Sequence, residues 1–168
     1  MNKPETLIIH HTGVSTGLPQ IKAVDRYHRD SGFSKSERGY YVGYHFFIER
    51  DGYLTQTRNE NEGGAHTVGW NQKSIGVCLA GNFDSELPTT IQIEVLKALI
   101  KKYGLRYQFH RESQLNRSCP GKNLSRDTIE PKDFRAPTHD DHVKAAEISR
   151  RLNLPYHIVL EFIKKLKG

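Results

Sequence analysis

The sequence predicts an α/β fold: a sheet-based core over roughly the first 125 residues and a helical tail after it. Three observations predict this. Short β-branched or apolar runs alternate with segments of helical periodicity, the pattern of a layered α/β domain. "SIGVCLAG" (74–81) is almost wholly apolar, as expected of a strand buried on both faces. Past Lys122 the composition turns to a proline-containing, mixed-charge stretch leading into two short helical patterns.

Taken in order, Leu7–His11 reads as a strand closed by "TGVSTGLPQ" with its Gly and Pro punctuation. Neighbours on a strand point to opposite faces, so His10 and His11 cannot both face one metal; alternation alone does not choose between them. Ile21–Arg29 carries Ile21, Val24 and His28 at helical spacing, which predicts an amphipathic helix. "YYVGYHFFIERDGYLTQT" (40–57) reads as a hairpin about the Asp51-Gly52 turn. By the same alternation, Tyr44 and His45 face opposite ways. "NENEGGAHTVGWNQ" (59–72) is a long polar loop, a kind that often carries function in compact domains. From Thr90 a helix is predicted, with Ile91, Val95, Leu96, Leu99, Ile100 and Tyr103 as its apolar stripe and Gly104 placed to end it. "RYQF" (106–109) is a short strand that delivers His110 into a loop. The expected organisation is a core domain over 1–125, a linker over 126–140 and a small helical C-terminal extension over 141–168.

At 168 residues with 36% apolar and 26% charged side chains, the chain reads as soluble and globular. No stretch approaches the roughly 20 apolar residues of a bilayer span. "MNKPETLIIHH" holds no secretory h-region, so synthesis in the cytoplasm without a signal peptide is expected, as is a monomer. The net charge of +6 favours polyanionic partners, although surface solubility explains it equally well. No nucleic-acid motif accompanies that charge, so nucleic acid is not an expected partner. Only Cys78 and Cys119 are present, which excludes a disulfide framework.

His10, His110 and Cys119 stand at the ends of predicted strands or in the loops after them. Two imidazoles and a thiolate suit Zn²⁺ and leave a fourth position open, as in catalytic zinc sites. The spacing of His110 and Cys119 matches no compact zinc motif. Cys78 lies in the buried-strand pattern and reads as a small core residue. A Cys78–Cys119 disulfide is the competing idea, disfavoured in a reducing cytosol.

Four blocks, "LIIHHTG", "VGYHFFIERDG", "GGAHTVGWNQKSIGVCLAGNF" and "FHRESQLNRSCPG", occur in one order across Thr6–Leu124. In that order they resemble N-acetylmuramoyl-L-alanine amidases of the phage-lysozyme and peptidoglycan-recognition type. The resemblance implies a central mixed β-sheet flanked by helices. It implies one catalytic Zn²⁺ held by His10, His110 and Cys119, with His11 as a packing or supporting neighbour. It places the catalytic tyrosine at Tyr44 and a groove histidine at His66, whose loop offers Trp70 and Asn71 as further substrate-binding candidates. Two residues before the cysteine the family often has lysine; here Arg117 stands there, still charged and able to stabilise an oxyanion, but unable to donate a proton near neutral pH.

The implied activity is cleavage of the amide between N-acetylmuramic acid and L-alanine of the stem peptide, with bacterial peptidoglycan as partner. The implied setting is a phage or prophage endolysin that acts on the wall after release. The alternative is a non-catalytic peptidoglycan-binding module, which the intact set of three ligands disfavours. The last predicted helix ends in Lys164, Lys165 and Lys167; docking on the catalytic domain is the favoured reading, and contact with an anionic wall or membrane the sharper one.

Overall fold

A computed structural model of the chain describes residues 1–114 and 117–130, and beyond them positions 142, 143, 146, 147, 157 and 160. The elements are β1 (Thr6–His11), α1 (Ile21–Asp30), β2 (Phe46–Ile48), β3 (Leu54–Gln56), β4 (Ser74–Leu79), α2 (Thr90–Tyr103), β5 (Arg106–Phe109), α3 (His110–Ser113) and α4 (Arg126–Ile129). Five strands form one sheet in the order β3-β2-β4-β1-β5. β1 runs parallel to β4 and β5, β2 runs parallel to β4, and β2–β3 is the antiparallel pair. The sheet is therefore mixed and flanked by helices, as the resemblance implies.

The period of two along the strands sorts side chains onto two faces. Leu7, Ile9, Phe46, Ile48, Ile75, Val77 and Leu79 pack with Ile93, Leu96 and Leu99 of α2. Phe47, Cys78 and Ala80 pack with Val42 on the opposite face, against Ile21 and Val24 of α1. His10 is the register partner of Cys78, which puts it on the α1 face. His11 is thereby on the α2 face, where its ring lies 5.8 Å from Phe83 and its Nδ1 accepts the Phe83 amide at 3.1 Å.

The two long helices are anchored differently. α2 carries its own capping box, Thr89 with Gln92, and closes on Gly104 in the left-handed region. The residue before α1, Gln20, makes no side-chain cap. Instead the buried carboxylate of Glu49, one residue past β2, accepts from the Gln20 amide at 2.8 and 3.0 Å and from the Ile21 amide at 2.8 Å. A carboxylate at a helix N-terminus satisfies orphan amides and opposes the dipole.

Three expectations need correction. Ile91 is 43% exposed, because the buried line of α2 runs through Gln92, Ile93, Leu96 and Leu99 instead. Gln92 is tolerated there because its Nε2 donates to the Ala80 carbonyl at 2.8 Å and its Oε1 accepts from the Thr89 amide at 3.1 Å. The hairpin ladder is short, and Tyr40–His45 lies outside it in an irregular path. His110 opens the short helix α3 rather than a loop.

The first compact unit runs over Met1–Ile129, and α4 buries Ile129 in the α2-side core. The second unit is Glu130–Gly168. Within it the described positions 142, 143, 146, 147, 157 and 160 are helical, while most of the expected linker and the terminal lysine cluster fall outside the described residues. Among the described residues, no helix is long and apolar enough to cross a membrane.

Glu49→Ala leaves the Gln20 and Ile21 amides without their acceptor. It is expected to lower unfolding free energy by about 1–3 kcal/mol in urea titrations, with Glu49→Gln losing less.

Candidate functional site

Parallel pairing of β1 with β5 sets Ile9 opposite Phe109, so the next residues, His10 and His110, emerge side by side at the carboxyl ends of the two strands. Crevices at the carboxyl ends of parallel strands are where α/β folds hold ligands. The two ring centroids are 4.5 Å apart. Cys119 arrives on the loop after α3, held by Arg111. The Arg111 amide donates to the Cys119 carbonyl at 2.8 Å, and its guanidinium donates to the Gly121 and Leu124 carbonyls at 2.9 and 3.0 Å. His10, His110 and Cys119 thus present ligand atoms that all lie within 4.8 Å of one another.

Both rings meet their polar neighbours through Nε2. Nε2 of His10 lies 3.1 Å from His66 Nδ1 and 3.3 Å from Thr67 Oγ1. Nε2 of His110 donates to Gln114 Oε1 at 2.9 Å. A proton on each Nε2 leaves a lone pair on each Nδ1, and Nδ1 of His10 faces Cys119 Sγ at 3.7 Å. Metal-bound imidazoles are oriented in this way through their second nitrogen. Burial holds His10 well below the usual imidazole range, with His66 and His110 adding to the effect, and burial followed by the charge of Arg117 lowers His110. Burial also pushes the Cys119 thiol up to about 11, against the pull of the His11 backbone amide and Arg111. Two neutral imidazoles and a thiol that a divalent cation would deprotonate form a donor set that fits Zn²⁺.

His66 is seated against backbone. A Cβ at Gly76 would come within 2.5 Å of His66 Cδ2, and one at Gly64 within 2.4 Å of the same atom, so both positions must be glycine for the ring to lie where it does. The ring is buried enough to be held well below the usual imidazole range, and its Nε2 has no hydrogen-bond partner among the described residues.

Tyr44 closes the other side, its ring 5.0 Å from His10 and 6.2 Å from His66. Burial pushes its phenol well up, and the nearby Cys78 and Cys119 thiols add to the effect. Cys78 itself is fully buried, and both cysteines are free thiols. From Tyr44 a cavity of about 630 Å³ extends along α1 and the β1–α1 loop, walled by Val14, Leu18, Val24, Tyr27 and His28 among others. Among the described residues its walls carry no Asp, Glu, Lys or Arg.

Of the residues singled out from sequence, His10, His110, Cys119, Tyr44 and His66 converge here. Arg117 is exposed and close enough for its charge to act on His110 and Cys119. Asn71 has a different place from the one expected: its Oδ1 accepts the His66 and Thr67 amides, both at 2.9 Å, so it shapes the loop from within. The half-buried Trp70 carries the Lys73 ammonium 4.3 Å from its ring centroid. His45 is fully buried and pairs with β4, its Nδ1 accepting the Gly76 amide at 3.0 Å. Tyr44 and His45 do diverge, but at a bend rather than on a strand. Sequence reasoning missed Thr67, Arg111 and Gln114. Gln114 was detectable, standing four residues after His110 on a helical turn.

A family model described as N-acetylmuramoyl-L-alanine amidase matches residues 1–122. Peptidoglycan-recognition protein SC2 of Drosophila simulans is 33% identical over 132 residues, covering 70% of this chain and 68% of that one. The endolysin of Escherichia phage T7 is 33% identical over 116 residues, covering 63% of this chain and 72% of that one. Among solved structures, N-acetylmuramoyl-L-alanine amidase LysC from Clostridium intestinale superposes with a TM-score of 0.64 at 29% identity, covering 92% of this chain and 88% of that one.

Two expected outcomes follow from this geometry. His66→Ala removes the group against His10 Nε2 and is expected to weaken Zn²⁺ binding about 10–100-fold in competition titrations with a chromophoric chelator. The second concerns pH. His28 and His45 accept amides at Nδ1 and must be neutral to do so, and burial lowers both from 6.5. Arg58 also opposes their charging, while Asp25 beside His28, and Glu60 and Glu62 with the Glu62 carbonyl beside His45, favour it. The unfolded chain therefore binds more protons below about pH 6.5, and stability falls as pH drops through that point. Urea titrations of metal-free protein should show a loss of up to about 1.4 kcal/mol per pH unit for each excess proton, and His28→Asn should flatten the slope.

Proposed function

Since this chain belongs to the N-acetylmuramoyl-L-alanine amidase family, we propose that it is a zinc-dependent peptidoglycan hydrolase cleaving the amide between N-acetylmuramic acid and L-alanine of the stem peptide. The observation that carries this reading is the meeting of His10, His110 and Cys119, with the ring of Tyr44, a residue that also lines the cavity, 5.0 Å from His10. A Zn²⁺ ion held by those three residues would supply Lewis acidity to the scissile carbonyl and to the attacking water.

The chain's own residues supply the remainder. His66 and Thr67 stand against Nε2 of His10 and can accept its proton, and Gln114 Oε1 fixes the tautomer of His110, an arrangement that leaves the Nδ1 lone pairs to a cation. Tyr44, its ring 5.0 Å from that of His10, would orient the water or steer a proton toward the leaving amine. Arg117 offers fixed positive charge to the oxyanion of the tetrahedral intermediate, without proton transfer. The uncharged walls of the cavity suit a peptide whose backbone, rather than a charged side chain, lies against α1.

The same reading makes the chain a phage or prophage endolysin, made in the cytoplasm, monomeric, and active on the wall after release. The non-catalytic alternative has no specific observation in its favour, since all three ligand positions are filled and drawn together.

Digestion of purified cell walls tests the proposal. New L-alanine amino termini without new reducing sugars, one zinc per chain, and loss of both activity and zinc in Cys119→Ala are the expected results. Tyr44→Phe should retain zinc and lose about 10²-fold or more in rate. A glycosidase product pattern, or an inactive zinc-loaded protein that still binds walls, would overturn it.

A further inference from the structure

The segment Tyr40–Gly43 leads into Tyr44 without belonging to a strand, and the ladder-like bonds of the chain resume only at His45, whose amide donates to the Gly76 carbonyl at 2.9 Å. Three successive amides are taken up by side chains of α1. Asp25 Oδ1 accepts from the Tyr41 amide at 2.6 Å and from the Val42 amide at 3.1 Å. His28 Nδ1 accepts from the Gly43 amide at 3.0 Å. Asp25 and His28 are one helical turn apart and share a face of α1.

The carbonyls of the same segment are held from the other side. Arg58 Nε donates to the Val42 carbonyl at 2.7 Å, the Ala65 amide to the Gly43 carbonyl at 2.8 Å, and Thr57 Oγ1 to the Tyr44 carbonyl at 2.7 Å. The chain just before Tyr44 is therefore gripped by two jaws, one of them made wholly of α1 side chains. The His28 ring is itself fixed, stacked on Phe33 at 4.4 Å and 17°, and it lies 5.7 Å from the Tyr44 ring. An amide can only donate, so Nδ1 of His28 must be the acceptor and the imidazole neutral, a state its burial favours.

We infer that Asp25 and His28 are positioning residues for the reaction: they set the path of residues 41–43 and thereby hold Tyr44, whose ring lies 5.0 Å from that of His10, beside the His10–His110–Cys119 group. This rests on the reading of Tyr44 as a catalytic residue. It goes further by making the catalytic geometry depend on α1, a helix that contributes no ligand to the metal group.

The test is a double-mutant cycle on the zinc-loaded full chain, read by wall digestion and by amide hydrogen exchange. His28→Ala and Asp25→Ala are each expected to lower kcat about 10–100-fold, with KM held within a few-fold and zinc affinity unchanged. Exchange at Gly43, or at Tyr41 and Val42, should quicken accordingly. His28→Asn and Asp25→Asn, which keep an acceptor oxygen, should recover most of the rate. In a Tyr44→Phe background the alanine changes should cost nothing further, because the group they position is already gone. If His28→Ala does not fold, Asp25→Ala carries the same comparison.

Equal losses with and without Tyr44 would reduce the pair to a structural role and overturn the inference, as would a rise in KM alone. An impaired Tyr44→Phe beside fully active alanine variants would overturn it while leaving the proposed function standing. A fully active Tyr44→Phe would remove the catalytic reading of Tyr44 itself, and this inference with it.

Discussion

Parallel pairing of β1 with β5 is the contact from which the site follows. It is a backbone interaction, indifferent to the side chains it aligns, yet it brings two residues far apart in sequence to one end of the sheet with their rings 4.5 Å apart. Everything else at the site adjusts to those two imidazoles. Arg111, on the turn that His110 begins, reaches back to carry the Cys119 loop to them. The long loop between β3 and β4 supplies His66 and Thr67 to the far nitrogen of His10. Had β5 joined the sheet one residue out of step, His110 would face the α2-side core, and no rotamer could return it.

A second constraint is the neutrality of imidazole away from water. His10, His28, His45 and His66 are all displaced downward in pKa, and burial is the largest cause in each case. In that state a ring is both donor and acceptor, which lets His28 and His45 take backbone amides that strands would otherwise satisfy. Desolvation also keeps the His10 lone pair available to a cation. Structural histidines and the candidate ligand His10 are products of one environment; they differ in what stands opposite Nδ1.

Much of the fold was readable because periodicity is a direct consequence of backbone geometry. The alternation along "LIIHH" separates His10 from His11, the apolar run "SIGVCL" is the central strand, and α2 begins and ends at the residues whose capping chemistry marks it. Features that depend on distant partners were not readable. Tyr40–His45 has strand composition, but α1 captures the amides of Tyr41, Val42 and Gly43, so the strand begins only at Phe46. Ile91 fits the stripe of α2, but Gln92 finds two backbone partners and occupies the interior in its place. The convergence of His10, His110 and Cys119 was suggested by residue type and order. The roles of Thr67 and Asn71 could not be suggested that way, because small polar residues reveal their partners only after the chain has closed.

Glu49 has a consequence beyond the stability of α1. A helix is ordinarily located by the chain that enters it, so altering that chain moves the helix. Here the entry point is pinned from β2 by a carboxylate, and the connection from β1 to α1 is left with little positional duty. That connection supplies Thr12, Val14, Thr16, Leu18 and Pro19 to one wall of the cavity, with Leu18 73% exposed. The wall can therefore lengthen, shorten or change its chemistry while the helix opposite keeps its register. Such a molecule separates what it grasps from how it reacts, and lineages that share the chemistry are free to diverge in taste.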